Sequence, residues 1–126
     1  MDLYIKALFA DMLRKFHIET NEVSDECHLV IDESYPILLR YDPASEKIMM
    51  IASVDMERVK DKRTFFKHML YAGLNPLNSK DPGMGMDKES ELCFSFLGIP
   101  RYVANVDFIC QEMARLVEWN KQITIH

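Results

Sequence analysis

This sequence of 126 residues lacks the features that mark several large classes of protein. Its longest charge-free runs, such as residues 92–100, are far too short to span a membrane. Its formal net charge is −5 and its basic residues form no dense block, so nucleic acid and membrane insertion are not expected. Asp2, Lys6 and Asp11 interrupt the N-terminal apolar stretch, which is not the pattern of a secretory signal.

The sequence also lacks the motifs of an enzyme or a metal protein. Its three cysteines are odd in number and widely spaced, which predicts reduced thiols in a cytoplasm. Its four histidines form no paired motif, so we expect no metal and no cofactor. Cys27 and His28 are adjacent on a predicted strand and therefore point to opposite faces, which excludes a nucleophile–base pair. We expect no enzymatic activity and no catalytic residue.

What is present is the pattern of a single α+β domain over residues 1–126. Apolar periodicity predicts a helix over Leu3 to Phe16, a second over Met56 to Ala72 and a last one from near Pro100 to near Trp119, with residues 122–126 as a tail. Strands are predicted over Cys27 to Ile31, Tyr35 to Tyr41, Lys47 to Val54 and Glu91 to Leu97, with a brief further strand at residues 84–86 left open. Short connections favour an antiparallel sheet packed against the helices.

Several apolar residues exceed what the core of one chain explains. Leu3, Ala7 and Leu13 lie outside the core face of the first helix. Residues 37–39 and 48–52 are apolar without alternation, so both faces of those strands are expected to be covered. Exposed apolar patches on soluble proteins mark binding surfaces, so we expect part of this surface to meet a partner. Which strand register faces outward stays open, because a slip of one residue exchanges the two faces.

Four stretches of the sequence carry a resemblance that covers the chain from about Leu3 to Trp119. They are LYIKALFADMLRKFHI, IDESYPILLRYDPASEKIMMIASV, FFKHMLYAGLNPLN and ELCFSFLGIPRYVANVDFICQEMARLVEWN. Together with the size, the acidic pI and the element order, they resemble the small chaperones of bacterial type III secretion, the group of the Tir chaperone.

The resemblance implies a fold, a function and two partner surfaces. The fold is a homodimer of α-β-β-β-α-β-β-α subunits without nucleotide or metal. The function is that of a chaperone in the cytoplasm of a Gram-negative bacterium. It binds the N-terminal segment of a secreted effector, keeps it non-globular and delivers it to the export machinery, with the export ATPase as a candidate partner. The expected effector-binding residues are Leu3, Ala7, Leu13, Leu29, Ile31, Ile37, Leu39, Met49 and Ile51. The expected dimer residues are Phe66, Leu70, Leu74, Met84 and Met86.

Two alternatives remain at this level. A regulatory adaptor that binds a folded protein or a transcription factor would also need exposed apolar surface. A small ligand-binding α+β domain would instead need a pocket with convergent polar groups. Protection of an unfolded client segment against proteolysis distinguishes a chaperone from an adaptor.

Overall fold

A computed structural model describes residues 2–19 and 24–125 of the chain. The first helix, α1, runs over Leu3–Lys15, close to the predicted range. It begins where the Asp2 carboxylate accepts hydrogen bonds from the backbone N–H groups of Tyr4 and Ile5, the usual role of an aspartate at a helix N-cap. Two residues after its end, His17 adopts a left-handed conformation with φ of 57°, which turns the chain away from the helix axis.

Five strands form one antiparallel sheet. They are β1 (Glu26–Ile31), β2 (Tyr35–Asp42), β3 (Lys47–Ser53), β4 (Gly83–Met86) and β5 (Cys93–Pro100), in the spatial order β1-β2-β3-β5-β4. The predicted α+β class and antiparallel sheet are therefore confirmed, and residues 84–86 do lie in a strand. β5 begins two residues later than predicted because Glu91 adopts φ of 58° in the turn that precedes it.

The second helix is shorter than predicted. Residues 56–58 form a single 3₁₀ turn, and α2 covers only Lys62–Ala72. Two aspartates cap the two pieces: Asp55 accepts from the N–H of Glu57, and Asp61 accepts from the N–H of Thr64. Between them Val59 is extended and buried, so the chain leaves the helical path in order to place this side chain in the core.

The last helix begins later and ends later than predicted. Pro100 is the last residue of β5, a 3₁₀ turn follows at residues 101–103, and α4 covers Val106–Ile125. Residues 122–125 are therefore helical rather than a tail, because Ile123 and Thr124 are buried and hold this last part of α4 against the protein. His126, the end of the expected tail, lies outside the described residues. A short helix, α3 (Asn75–Asn78), connects α2 to β4.

All three long helices lie on one face of the sheet. α1 and α4 cover the inner side chains of the first three strands and the end of β5, around Phe9, Leu39 and Met50. α2 covers the remaining part of the same inner face, where a second cluster of buried residues lies. That second cluster consists of Val54, Val59, Phe65, Ala72, Met84, Cys93 and Ile123. The opposite face, here called the outer face, carries none of the long helices that the structure describes.

Candidate partner-binding surfaces

The outer face of the sheet carries an apolar row that crosses its central strands. Strand register places Leu38 of β2 opposite Ile51 of β3, and Ile51 opposite Phe96 of β5. Met49 follows on β3 and Phe94 on β5, with the same orientation. These five side chains are half-buried, and none of the described long helices covers them. We call them the outer row.

The missing alternation in β2 and β3 follows from this arrangement. Leu39 and Met50 point into the helical core, whereas Leu38 and Met49 point to the outer face. Each strand therefore has apolar residues on both faces, and one of those faces is not covered by the described part of the chain. Of the methionine pair, Met49 is the one available to a partner, because Met50 is fully buried.

Several expected effector-binding residues are not at the surface, and for these the expectation is wrong. Leu29, Ile37 and Leu39 are buried in the core because the register turns odd-numbered positions of β1 and β2 toward α1 and α4. Ile31 has the same orientation and packs against that core. Leu13 is buried because it lies only about 40° around the helix from Phe9, at the edge of the core face.

Leu3 and Ala7 are exposed, as an effector-binding role requires. Leu3 is the more prominent of the two, with 80% of its surface accessible. The start of α1 is held in place by Arg101, which donates two hydrogen bonds to the Asp2 carboxylate at 2.6 and 3.1 Å. This guanidinium, and to a lesser extent the N–H groups of the capped helix, hold the pKa of Asp2 below its ordinary value. Leu3 is thus presented from a fixed helix end.

A second apolar surface lies on α2 and α3. Leu70 is 76% exposed, Leu74 follows one turn later, and Tyr71 and Leu77 are exposed beside them. Sequence reasoning named Leu70 and Leu74 but missed Tyr71 and Leu77, although the spacing 70, 74, 77 is itself helical. We call these four residues the α2–α3 patch.

The other expected dimer residues differ in position. Phe66 is half-buried and contacts Phe65 edge to face, with ring centroids 5.6 Å apart. Met86 is partly exposed at the end of β4. Met84 is only 4% exposed because α2 packs over it in the second cluster, so the expectation that it is available to a partner is wrong.

The polar pocket that a ligand-binding domain would use is small. It has a volume of about 310 Å³ and lies where β2 begins and α4 ends. Arg58 on its wall already donates to the hydroxyl of Tyr35 at 2.7 Å and pairs with Asp55 at 3.4 Å. Ser95 donates to the buried side-chain carbonyl of Asn120 in the same region. The charged groups that line the pocket, Arg58 and Asp55, are therefore already paired with each other.

Cys27 and His28 do not form a catalytic pair. Cys27 is buried and His28 is exposed, on opposite faces of β1, as predicted. Burial raises the pKa of the Cys27 thiol to about 11, which keeps it protonated and unreactive at neutral pH. Among residues 2–19 and 24–125, no three His, Cys, Asp or Glu side chains are grouped closely enough to hold a metal ion. None of the described helices has both the length and the hydropathy needed to cross a membrane.

Comparison with known proteins gives matches by structure only. No protein-family model and no curated protein sequence matches the chain. A chain of the HopA1-SchA chaperone–effector complex is similar in structure, with a TM-score of 0.78 and 26% identity, over 100% of this chain and 99% of that chain.

Two further solved structures share the fold at lower identity. One is the ExsC-ExsE complex, with a TM-score of 0.74 and 15% identity over 95% of this chain and 92% of that one. The other is the Yersinia pestis type III secretion chaperone SycH in complex with a stable fragment of YscM2, with a TM-score of 0.71 and 11% identity over 94% of this chain and 98% of that one. The resemblance found in the sequence is confirmed: the chain has the fold of the type III secretion effector chaperones.

Proposed function

We propose that this chain, which has the fold of the type III secretion chaperones, binds the N-terminal segment of one or more secreted effectors and keeps that segment non-globular for export. The observation that carries the proposal is the uncovered outer row of the sheet, together with the exposed Leu3 on α1. An extended segment that wraps around such a subunit can bury apolar side chains on both surfaces. The proposal gives the chain a cytoplasmic location and no catalytic role.

The binding mode follows from the sheet. β1 is an edge strand whose side chains His28 and Val30 are exposed, and it contains no proline or lysine that would oppose pairing with another strand. An effector segment added there gains main-chain hydrogen bonds, and pockets for alternate side chains provide specificity. Of the residues that sequence reasoning named, Leu3, Ala7, Met49 and Ile51 remain candidates for contact. The outer row adds Leu38, Phe94 and Phe96.

The α2–α3 patch is proposed as the homodimer surface. Four neighbouring exposed apolar side chains form a patch of the kind that marks a protein–protein interface. A two-fold dimer buries one such patch against its own copy and needs no second protein. Delivery of the bound effector to the export machinery, including its ATPase, is part of the same proposal. The ligand-binding alternative is less favoured, because the charged groups around the small polar pocket are already paired.

Effector binding is tested by co-purification with the first ~100 residues of secreted proteins encoded beside the gene, a length suited to a large coupled-folding interface. We expect Leu3→Glu to weaken binding about tenfold or more, because a charge replaces an apolar side chain that the bound effector would cover. Leu92→Glu is the matched control, since Leu92 is also exposed but lies in the turn before β5. If both variants bind equally well, α1 is not part of the effector-binding surface.

A proteolysis experiment separates the chaperone from the adaptor. The complex with the co-purified segment is treated with trypsin, and the surviving fragments are identified by mass spectrometry. A chaperone protects a contiguous segment that is rapidly cleaved when free. An adaptor leaves the cleavage of that segment unchanged and retains binding only to folded protein.

A further inference from the structure

A cleft crosses the edge of β5 where that strand has no neighbour. β4 pairs with residues 93–96 only, so no described strand pairs with residues 97–100 on this side. The cleft has a volume of about 550 Å³, within the range of small-molecule and side-chain pockets. α4 forms one wall and residues 76–81 form the other. We call it the β5 cleft.

The lining of the β5 cleft is mainly apolar, and part of its floor is a glycine, which has no side chain to fill the space. Met49 and Phe96 of the outer row and Phe108 of α4 contribute apolar surface. Gly98 lies between them, and a Cβ atom built there would meet Lys47 Cδ at 3.3 Å and Met49 Sδ at 3.5 Å. Any side chain larger than that of alanine at position 98 would therefore extend into the space of the cleft.

One hydrogen bond joins the two walls, and others hold each wall in shape. Arg115 of α4 donates to the carbonyl of Lys80 at 2.6 Å and to the Glu112 carboxylate at 2.6 and 3.0 Å. At the other end of the same wall, Asn75 donates to the carbonyl of Pro82 at 3.0 Å. The cleft is therefore formed before any partner arrives, which lowers the entropic cost of binding.

The rim of the β5 cleft is positively charged, although the whole chain carries −5. Lys47, Lys80 and Arg115 line it, against Asp81 and Glu112. Glu112 is paired with Arg115, and no ion pair within residues 2–19 and 24–125 involves either lysine. A carboxylate at the rim would meet two lysines against the single carboxylate of Asp81, so the rim favours an anion.

We propose that the β5 cleft receives one large apolar side chain of the bound effector segment, flanked in that segment by an acidic residue that lies at the Lys47–Lys80 rim. The segment lies extended along the unpaired end of β5. This assignment rests on the proposed function and names the chemistry that the effector must supply at one position.

The test compares two glycine variants against overlapping peptides that cover the first ~100 residues of the co-purified effector. Gly98→Val fills the cleft, whereas Gly85→Val is the matched control, because Gly85 is also on a strand and has nothing within 4 Å of an added Cβ. Neither glycine has a positive φ, so both variants are expected to fold, with a small shift of the flexible Lys47 side chain in Gly98→Val. We expect Gly98→Val to weaken binding of an acidic–apolar peptide about tenfold or more, and Gly85→Val, which lies opposite Phe94 but outside the lining of the cleft, to weaken it much less.

A charge pair of variants tests the rim. Lys47→Glu is expected to weaken the same peptide about fivefold at low salt and less at high salt, because the interaction is screened. Lys88→Glu, in the turn after β4, is the control and is expected to have no effect. If Gly98→Val binds every peptide as the wild type does, the β5 cleft proposal is wrong while effector binding stands. If the wild type binds no effector segment, both the proposed function and the cleft assignment are overturned.

Discussion

At the scale of single residues, the informative positions are those where an apolar side chain lies on the strand face that points away from the helices. Leu38, Met49 and Ile51 are such positions, and all three belong to the outer row. Their neighbours Leu39 and Met50 already supply the core. Both faces of such a strand must be shielded from water, and the described part of the chain shields only the face that packs against the helices.

Cys27 shows the opposite case, a residue whose chemistry suggests function but whose burial indicates structure. Cys27→Ser is expected to lower the free energy of unfolding by about 1–3 kcal/mol, because a hydroxyl replaces a thiol in an apolar core. Effector affinity should be unchanged, since the side chain is only 1% exposed. Urea unfolding and the co-purification assay measure the two quantities separately.

Cys27→Ala is the matched control for that substitution. It adds no polar group, so it should destabilise less than Cys27→Ser. Loss of effector binding in the fully folded Cys27→Ser protein would contradict the assignment of this cysteine to the core and would revive a reactive-thiol role.

At the scale of elements, the boundaries of the helices depend both on local caps and on packing against residues that are distant in the sequence. Asp55 and Asp61 each cap a piece of the segment that periodicity predicted as one helix. The caps are visible in the sequence, but the break between them exists because Val59 enters the second cluster. The start of α1 depends on a contact across the whole chain, from Asp2 to Arg101.

The Asp2–Arg101 pair predicts a pH dependence of stability. Arg101 lowers the pKa of Asp2 below its ordinary value of 3.8, so the unfolded chain binds this proton more readily than the folded one. The stabilisation is therefore fully present above pH 3.8 and is lost as the pH falls through the lowered folded pKa. Asp2→Asn keeps a cap acceptor but loses the charge, so its melting temperature should be lower than that of the wild type at pH 7.

The difference between these two melting temperatures should shrink as the pH falls below 3.8. Differential scanning calorimetry from about pH 2 to about pH 7 measures it, because this range spans the ordinary carboxyl pKa. A difference that is the same at every pH would mean that the pair contributes no charge interaction, and that the start of α1 is held by core packing, by the cap and by the hydrogen bond from the Tyr4 hydroxyl to Ala104.

At the scale of the whole molecule, the distribution of apolar surface predicts an assembly. The α2–α3 patch lies beside β4, the strand at one edge of the sheet, whereas β1 forms the other edge and is contacted by α1. One subunit thus carries both the proposed dimer surface and the proposed effector surface. A dimer built on the first leaves the second accessible in both subunits.

Leu70→Asp is the sharpest test of this dimer. Its side chain is exposed in the single chain, so the substitution should leave the subunit folded while it abolishes dimerisation. Phe66→Asp is less specific, because Phe66 also packs against the second cluster. Light scattering should give about twice the chain mass of 14.8 kDa for the wild type and the single mass for Leu70→Asp.

Leu92→Asp serves as the control for Leu70→Asp, since Leu92 is exposed outside the α2–α3 patch. It should remain dimeric. A wild-type protein that is monomeric at micromolar concentration would refute the dimer, whatever the variants do.

The order of elements could be read from the sequence because its signals are local. Turn residues around Pro43, the apolar periodicity of α1 and the runs of β-branched and aromatic residues depend only on neighbours within a few positions. The sequence also contains more apolar residues than the core of one chain requires, and this excess by itself predicts a partner. For the same reason Leu3 and Leu70 could be named from the sequence alone.

The faces of the strands could not be read in this way. Composition does not distinguish Ile37, Leu38 and Leu39, because all three are strongly apolar. Only the pairing of β1 with β2 and of β2 with β3 determines which of them meets α1 and α4. The same holds for Met84, which α2 covers, and for the β5 cleft, which exists because β4 stops short of Gly98. Register and coverage are set by contacts between residues far apart in the chain, so they follow from tertiary packing and not from local pattern.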